Sequence, residues 1–401
     1  MADLKNQIVE YAKECGFDLV RVTTADDFVE DQEAALARIR AGQMDGLPWF
    51  TESRVRRGAS PQELLPGARS IICLGLSYLH DEDTSVGRPS QSASGGKVAR
   101  YAWVKDYHHA MKRRMRDFVR GLEESLESPV AARWYVDDGP MLDRAAAARA
   151  GLGWFGKSTN ILTSSHGSWV FLGQIITDLE LDADAPLKKT CGACVRCIDD
   201  CPTGAIVAPY VVDNTRCISY LTIENRGAIP RELRPLMQDW VFGCDICQDV
   251  CPVNRKADPP LTPVPLASTV ARNDSAGAMG SLELVELLEM TEPEFKSRFQ
   301  GTSVMRAKHT GMQRNAAVAL GNLGQAQAVP ALSRALFDGS ALLRGHVAWA
   351  LGRIGTPDAL EALTKASRLE SDEGVLEEIR TALAEGCSLQ GALGLEASPL
   401  S

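Results

Sequence analysis

Eight of the eleven cysteines in this chain follow a spacing that is typical of iron–sulfur ligation. The first four form the run C-x2-C-x2-C-x3-C-P, which is the ligand pattern of bacterial ferredoxins; they are Cys191, Cys194, Cys197 and Cys201. The other four follow the same pattern with the first cysteine displaced by an insertion; they are Cys217, Cys244, Cys247 and Cys251. Because eight thiolates are enough for two four-iron clusters, the sequence predicts a protein that transfers electrons.

The cysteine that precedes proline in this motif usually ligates the other cluster of the pair. We therefore expect one cluster on Cys191, Cys194, Cys197 and Cys251, and the second on Cys217, Cys244, Cys247 and Cys201. A structural zinc site is the alternative, because isolated C-x2–4-C pairs are common in such sites. Zinc ligation leaves the two Cys-Pro endings without an explanation.

Composition narrows the class of protein. The formal net charge of −9 argues against a generic nucleic-acid binder, although it leaves room for a local basic patch. The first residues show neither the basic nor the apolar segment of a secretory signal, and the best apolar stretch, 169–176, is too short for a membrane span. We therefore expect a cytoplasmic protein without a membrane partner.

The remaining thiols, Cys15, Cys73 and Cys387, are expected to be buried small hydrophobes.

Residue periodicity predicts helices and strands in the first 180 residues, an α/β arrangement. The predicted helices are 3–15, ended by Gly16, then 107–127 and 141–150, and the predicted strands are 19–23, 70–78, 130–136 and 169–177. The segment 81–97 is rich in Ser, Gly and charged residues, so we expect a loop there.

The rest of the chain divides into a cluster module and a helical repeat. A helical insertion is expected between Cys217 and Cys244, and Pro259 to Pro265 is typical of a linker. Leu320–Gly324 (LGNLG) recurs as Leu351–Gly355 (LGRIG), which predicts short HEAT-like repeats. The predicted fold class is α+β, with three domains at 1–184, 185–258 and 259–401.

Three further stretches give the chain a resemblance to a known family. They are Ala99–His108 (ARYAWVKDYH), Tyr135–Pro140 (YVDDGP) and Gly151–Asn160 (GLGWFGKSTN). Together with the cysteines and the repeats, they resemble the epoxyqueuosine reductase family over nearly the whole chain. The resemblance implies an oxidoreductase that reduces epoxyqueuosine to queuosine at the tRNA wobble position. It also implies two 4Fe–4S clusters that pass electrons to cobalamin, bound by an α/β N-terminal domain.

The resemblance implies roles for individual residues. Asp137 stands at the position of the family's proton donor, and without the resemblance a helix N-cap is the simpler interpretation of this residue. The neighbouring Asp138 leaves a second carboxylate to consider. The cobalamin contacts expected on this basis are Arg57, Tyr101, Asp137, Lys157, Ser158, Asn160, Ile161 and Leu162. His108 is not assigned as a cobalt ligand, because Met111 stands where D-x-H-x-x-G requires glycine.

The partner expected from the resemblance is a tRNA with a queuosine-type anticodon loop. Basic residues expected to contact it are Arg113, Arg114, Arg306, Lys308, Arg314 and Arg344. Electrons are expected from flavodoxin or from ferredoxin with its reductase, and the protein is expected to be a monomer.

Two other functions fit part of the sequence. One is a cobalamin iron–sulfur reductase of a small molecule, like a reductive dehalogenase, and the other is a non-catalytic electron-transfer protein with a binding solenoid. The first usually carries a twin-arginine signal, which the chain does not show, and the second leaves the N-terminal 180 residues without a purpose.

Overall fold

The computed structural model describes residues 2–79, 95–265 and 280–392. Helices α1 to α16 are Ala2–Glu14, Val29–Arg40, Glu52–Ala59, Pro61–Leu64, Tyr107–Leu126, Asp143–Arg149, Arg196–Asp199, Ile218–Ile223, Ile246–Asp249, Leu284–Glu289, Glu292–Phe299, Lys308–Leu323, Val329–Asp338, Ala341–Ile354, Pro357–Ala366 and Glu373–Ala392. Strands β1 to β11 are Leu19–Thr24, Ser70–Ser77, Gly95–Val98, Ala132–Tyr135, Trp154–Phe155, Ile161–Leu162, Val170–Thr177, Ile206–Ala208, Val211–Val212, Trp240–Phe242 and Ser281–Glu283. None of the helices within these ranges is long and apolar enough to cross a membrane.

The chain forms two compact units, each built from several segments. Of the described residues, the first comprises 2–79, 104–217 and 245–265, and the second comprises 95–103, 218–244 and 280–392. The three-domain division of the sequence stays a prediction.

The centre of the first unit is an antiparallel sheet in the order β1-β2-β7-β4. All of β2 is buried, because its sequence SIICLGLS is apolar on both faces and pairs with β7 along its full length. On one face, Ile71 and Ile176 pack with the alanines of α6. On the other face, Gly173 leaves room for Met111 and Met115 of α5. The sheet therefore fixes α6, which follows the segment 136–142, and α5, whose Tyr107 and Lys112 contact that segment.

The second unit combines a small sheet, in the order β10-β3-β11, with the repeat helices. Helices α12 and α14 end at Gly324 and Gly355, whose φ angles are +65° and +63°. Glycine adopts this left-handed conformation without a steric penalty, which explains why the same five-residue pattern ends both helices. The predicted repeats are confirmed.

Most predicted elements of the first unit are confirmed with small changes at their ends. β4 is shorter than predicted, and α6 begins at Asp143 rather than at 141. The insertion after Cys217 is helical only in part, since it contains α8 and β10. The predicted loop 81–97 lies mostly outside the described residues, but 95–97 belong to β3, so the loop prediction is wrong there. Residues 259–265 contain neither helix nor strand. Cys73 is buried, Cys15 is half-buried, and the side chain of Cys387 lies outside the described ones.

Candidate functional site

Four of the predicted ligands come together in the first unit. Burial, together with the neighbouring Cys191, Cys251 and Cys194, raises the pKa of the Cys197 thiol to about 11. Cys251 lies far from the other three in the sequence, before the Pro252 turn. Its presence beside Cys197 matches the ligand exchange that is typical of two-cluster ferredoxins.

Three members of the other predicted set are also close together. Burial raises the pKa of Cys247, and Cys217 and Cys201 are among the thiols that raise it further. The Ala205 N–H donates to Cys201 Sγ at 3.3 Å, a contact of the kind that stabilises cluster sulfurs. Cys244 belongs to the second unit, so its place in this set stays a prediction.

The turn of the β5–β6 hairpin contacts both cysteine regions. Asn160 Nδ2 donates to Cys247 Sγ at 3.7 Å, and Lys157 Nζ donates to the Gly192 carbonyl at 2.8 Å. The hairpin is closed by the Gly156 N–H, which donates to the Asn160 carbonyl. The family resemblance implies that this turn contacts cobalamin, and the structure connects it to the cysteines that would bind the clusters.

Besides the cysteines, the first unit contains a second candidate functional feature, the segment 136–142, here called the Asp137 loop. Asp137 is exposed and has a φ of +56°, which is uncommon for a residue other than glycine. The Tyr107 hydroxyl donates to Asp137 Oδ2 at 3.0 Å, and the Tyr107 ring stacks on Phe171. Strain of this kind, held in place by a side-chain contact, is typical of functional sites.

Helix α3 supports the Asp137 loop from its other side. Arg54 donates to the Gly139 carbonyl, and Gly58 lies so close to Pro140 that a Cβ would be 1.8 Å from the Pro140 oxygen. Glycine is therefore required at position 58 for the helix to approach the loop. Neither contact could be predicted from the sequence pattern.

The structure separates the roles of the two adjacent carboxylates. Burial acts to raise the pKa of Asp138, but the ion pair with Lys112 and the Val136 N–H outweigh it and lower that pKa. The ion pair with Lys112 of α5 therefore holds Asp138 as an anion, whereas Asp137 accepts a hydrogen bond from the Tyr107 hydroxyl. The N-cap interpretation of Asp137 is wrong, because α6 begins at Asp143 and its N-cap residue is Leu142.

The loop and the hairpin are joined through α6. Arg144, the second residue of α6, donates to the Thr159 carbonyl at 3.3 Å and to its hydroxyl at 3.2 Å. A continuous series of contacts therefore runs from the Asp137 loop through α6 and the hairpin turn to Cys247. Asp106 and His108 lie at the start of α5, where Asp106 caps the helix and accepts from the His108 ring at 2.7 Å, and that ring stacks on Tyr107.

The predicted cobalamin contacts differ in what they can offer a ligand. Arg57 is exposed at the end of α3, and Lys157, Ser158 and Asn160 are half-buried in the hairpin turn. Tyr101 belongs to the second unit, where its ring lies against Phe242. Ile161 and Leu162 are only 4% and 2% exposed. Their side chains fill the protein core, and the predicted cobalamin contacts of both residues stay predictions.

Arg314 was predicted to contact tRNA, and the structure contradicts this prediction. It is 0% exposed, and its guanidinium donates to the carbonyls of Leu221, Asn225 and Gly227. Burial lowers its pKa to about 10. A side chain that is enclosed by backbone carbonyls has no N–H group to offer a phosphate.

The other predicted tRNA contacts fall into two groups. Arg344 makes a two-point ion pair with the buried Glu370, and Arg306 makes one with Glu224, so both have competing partners. Arg114 donates to the Gly16 and Thr262 carbonyls. Arg113 and Lys308 are exposed. Arg113 and Lys308 thus remain the best-placed of the six for a phosphate.

Comparison with known proteins gives three family-model matches. The description "Epoxyqueuosine reductase QueG, DUF1730" matches residues 58–138, "4Fe-4S double cluster binding domain" matches 190–254, and "HEAT repeats" matches 302–384. The double-cluster match supports iron–sulfur clusters over the zinc alternative.

Individual relatives match nearly the whole chain. Epoxyqueuosine reductase of Bacillus subtilis is 34% identical over 99% of this chain and 99% of its own length. That of Xanthomonas campestris pv. campestris is 38% identical over 88% of this chain and 97% of its own.

Two solved structures extend the comparison. One is an epoxyqueuosine reductase with a tRNA-Tyr epoxyqueuosine-modified tRNA stem loop, with a TM-score of 0.85, 33% identity, and coverage of 96% of this chain and 99% of that one. The other is a Bacillus subtilis enzyme with its catalytic aspartate loop swung out of the active site, with a TM-score of 0.84, 32% identity and the same coverage.

Proposed function

Because the chain belongs to the epoxyqueuosine reductase family, an oxidoreductase family, we propose that it reduces epoxyqueuosine to queuosine in tRNA. The epoxide takes up two electrons and two protons, the ring oxygen leaves as water, and a carbon–carbon double bond remains. The site must therefore deliver both electrons and a proton to the epoxide.

One observation carries this proposal. The Asp137 loop, which holds an exposed carboxyl group, is connected through Arg144, Thr159 and Asn160 to Cys247. A protein that only transferred electrons would not need a strained, oriented carboxyl group attached to its cluster site.

Most of the residues that would hold the proposed cofactors lie in the first unit. Cys191, Cys194, Cys197 and Cys251 would hold one cluster, and Cys201, Cys217, Cys244 and Cys247 the other. Cobalamin would lie against Arg57, the exposed face of the hairpin turn and the Asp137 loop. Tyr101 belongs to the second unit, and its contact with the cofactor stays a prediction. The fit rests on the half-buried polar side chains of that turn, which suit the amide-rich rim of a corrin. When bound, the clusters supply single electrons and cobalamin supplies a reducing cobalt centre.

We propose that Asp137 is the proton donor to the departing oxygen. The Tyr107 hydroxyl fixes the carboxyl group, and the ion pair of Asp138 with Lys112 keeps the second carboxylate out of that role. The protein alone leaves Asp137 exposed. Its carboxyl group is therefore accessible to a substrate.

The partners follow from the same proposal. A substrate tRNA would bind through exposed basic residues such as Arg113, Lys308 and Arg57, and a flavodoxin or a ferredoxin with its reductase would supply electrons. We propose that the protein acts as a monomer, in three parts at 1–184, 185–258 and 259–401.

The experiment that tests this function is turnover of an epoxyqueuosine-modified stem loop. The chain, purified without oxygen and supplied with iron, sulfide, cobalamin and a reductant, should yield queuosine, detected by mass spectrometry of the nucleosides. A Cys247→Ala variant, which removes one cluster ligand, should yield little or none. Corrin-dependent turnover of an aryl halide in place of the stem loop would favour the dehalogenase-like function instead.

A further inference from the structure

Cys217 and Cys244 are two of the ligands that we propose for one cluster, and an insertion of 26 residues, 218–243, separates them. In the other motif the corresponding pair, Cys191 and Cys194, has only two residues between its members, and this short connection fixes their spacing. A long insertion cannot do so by itself, because closing a long loop costs conformational entropy. Other contacts must therefore hold the two ends of the insertion together.

Both ends of the insertion belong to the second unit, where one buried threonine joins them. Thr222, on α8, is 1% exposed. Its hydroxyl donates to the carbonyl of Ile218, the residue that follows Cys217, at 2.8 Å. Its oxygen accepts from the N–H of Gly243, the residue that precedes Cys244, at 2.9 Å. A single side-chain atom is thus bonded to the backbone next to each cysteine.

The two roles of the Thr222 hydroxyl are determined by its single hydrogen. The oxygen lies 2.8 Å from the carbonyl oxygen of Ile218 and 3.2 Å from that of Ser219, and both of these groups can only accept. The hydrogen is therefore used within α8, and the lone pairs of the oxygen face the Gly243 N–H. Because Gly243 is buried, removing the hydroxyl would deprive this N–H of an acceptor that water cannot readily replace.

The conformation of Gly243 makes this bond necessary. Gly243 has a φ of +69°, and a Cβ at this position would lie 2.6 Å from the Cβ of Ala99. Glycine fits there, but it adopts many other conformations with equal ease. The turn from β10 to Cys244 therefore needs a contact that selects one conformation, and the bond to Thr222 provides it.

A second buried side chain joins the same two segments. Asn315, on α12, is 0% exposed, and its Nδ2 donates to the carbonyls of Thr222 and Val241, both at 2.8 Å. Its Oδ1 accepts from the Arg314 guanidinium, which fixes the orientation of the amide. Asn315 thus holds α8 against β10, and the Thr222 hydroxyl extends this hold to the backbone beside the two cysteines.

We propose that Thr222 is a positioning residue, whose hydroxyl holds the backbone beside Cys217 to the backbone beside Cys244. It does for this pair what the two intervening residues do for Cys191 and Cys194. The inference rests on the proposed function, because it takes both cysteines to be ligands of one 4Fe–4S cluster.

Release of iron to a chelator tests this role. The holoenzyme, reconstituted without oxygen, should carry about eight irons. Thr222→Val keeps the shape of the side chain but leaves the Gly243 N–H unpaired, so half of the irons should be released about 10-fold faster than in the wild type. An initial content of about four irons in this variant would be the same result in a stronger form. Thr222→Ser keeps the hydroxyl and should behave as the wild type.

Thr302→Val is the matched control for loss of a buried hydroxyl. Thr302 is also buried in the second unit, and its hydroxyl donates to the Phe299 carbonyl at 2.7 Å. Its replacement removes a hydrogen bond of the same kind away from the cysteines. Iron release from Thr302→Val should therefore equal that of the wild type.

The irons affected by Thr222→Val can be assigned with a variant that lacks one cluster. Cys247→Ala should retain about four irons on the other ligand set. Adding Thr222→Val to Cys247→Ala should leave the release of these four irons unchanged. A purely structural role of Thr222 would instead accelerate their release as well.

Two outcomes would overturn the positioning role. One is wild-type release of all eight irons from Thr222→Val, and the other is loss or equal acceleration of all eight. A failure of the proposed function would look different, because the wild type would carry eight irons and form no queuosine from the stem loop. The release measurement would still decide the role of Thr222 in that case.

Discussion

Replacing Arg314 by methionine should destabilise the second unit rather than weaken tRNA binding. The guanidinium donates to three backbone carbonyls and to Asn315 Oδ1, and the side chain is 0% exposed. Methionine can fill much of the space but donates nothing. It would therefore leave the carbonyls of Leu221, Asn225 and Gly227 without their donor.

The size of the effect follows from the number of lost partners. Each buried acceptor left without a donor costs about 1–3 kcal/mol, which gives about 3–9 kcal/mol for three. Removing the buried charge recovers part of this cost, since burial already lowers the pKa of Arg314 to about 10. We expect a net loss of about 3–5 kcal/mol, which is typical of breaking a buried charged network. For a unit of this size, that lowers the melting temperature by about 6–20 °C.

The assay is thermal unfolding followed by circular dichroism of the helical signal, with Arg353→Met as the matched control. Arg353 is exposed on α14, so its replacement should change stability by no more than about 0.5 kcal/mol. At a temperature where both variants are folded, their affinities for the stem loop should equal that of wild type. A melting temperature of Arg314→Met within about 2 °C of wild type would refute the burial argument.

Three further predictions concern the clusters and the tRNA. Cys247→Ala should reduce the iron content from about eight to about four atoms per chain; an unchanged content would contradict the two ligand sets. Asn160→Leu removes a donor to Cys247 and should lower that cluster's reduction potential by about 20–60 mV in a redox titration followed by electron paramagnetic resonance, whereas Lys157→Met should not change it. Arg113→Ala should weaken stem-loop binding and reduce the slope of log affinity against log salt by about 0.7, whereas Arg344→Ala should leave the slope unchanged. Equal salt slopes for the wild type and Arg113→Ala would show that Arg113 does not contact the stem loop.

Local sequence signals predicted most elements because each depends on nearby residues. The apolar run of β2 and the glycine that ends each of α12 and α14 are examples, since both report directly on burial or on backbone conformation. The ends of β4 and α6 were predicted less accurately, because tertiary contacts of the Asp137 loop decide where those elements begin and end.

The candidate site was predictable only where spacing itself carries the chemistry. The cysteine motif predicted the ligands and their exchange, and the V-D-x-G-P resemblance singled out Asp137. The roles of Tyr107 and Asn160 depend on contacts between segments distant in sequence, so spacing alone could not assign them.

Burial was the property that sequence patterns predicted worst. Arg314 and Arg344 stand near the starts of repeat helices, where exposed basic residues would be expected to meet phosphate. The first is enclosed by carbonyls and the second is paired with Glu370, whose pKa the hydrogen bond from Arg344 lowers to about 2. A basic residue in a repeat protein can therefore hold helices together instead of binding a ligand.

The central claim is that Asp137 donates the proton in epoxide reduction, and one comparison tests it most directly. Asp137→Asn and the wild type are reconstituted in parallel, and queuosine formation in the stem loop is measured together with iron, corrin and RNA affinity. The amide cannot release a proton, so the variant should lose about 10²–10⁴ in kcat while retaining its clusters, its corrin and its affinity for the stem loop. A variant that forms queuosine at the wild-type rate with all cofactors present would contradict the account.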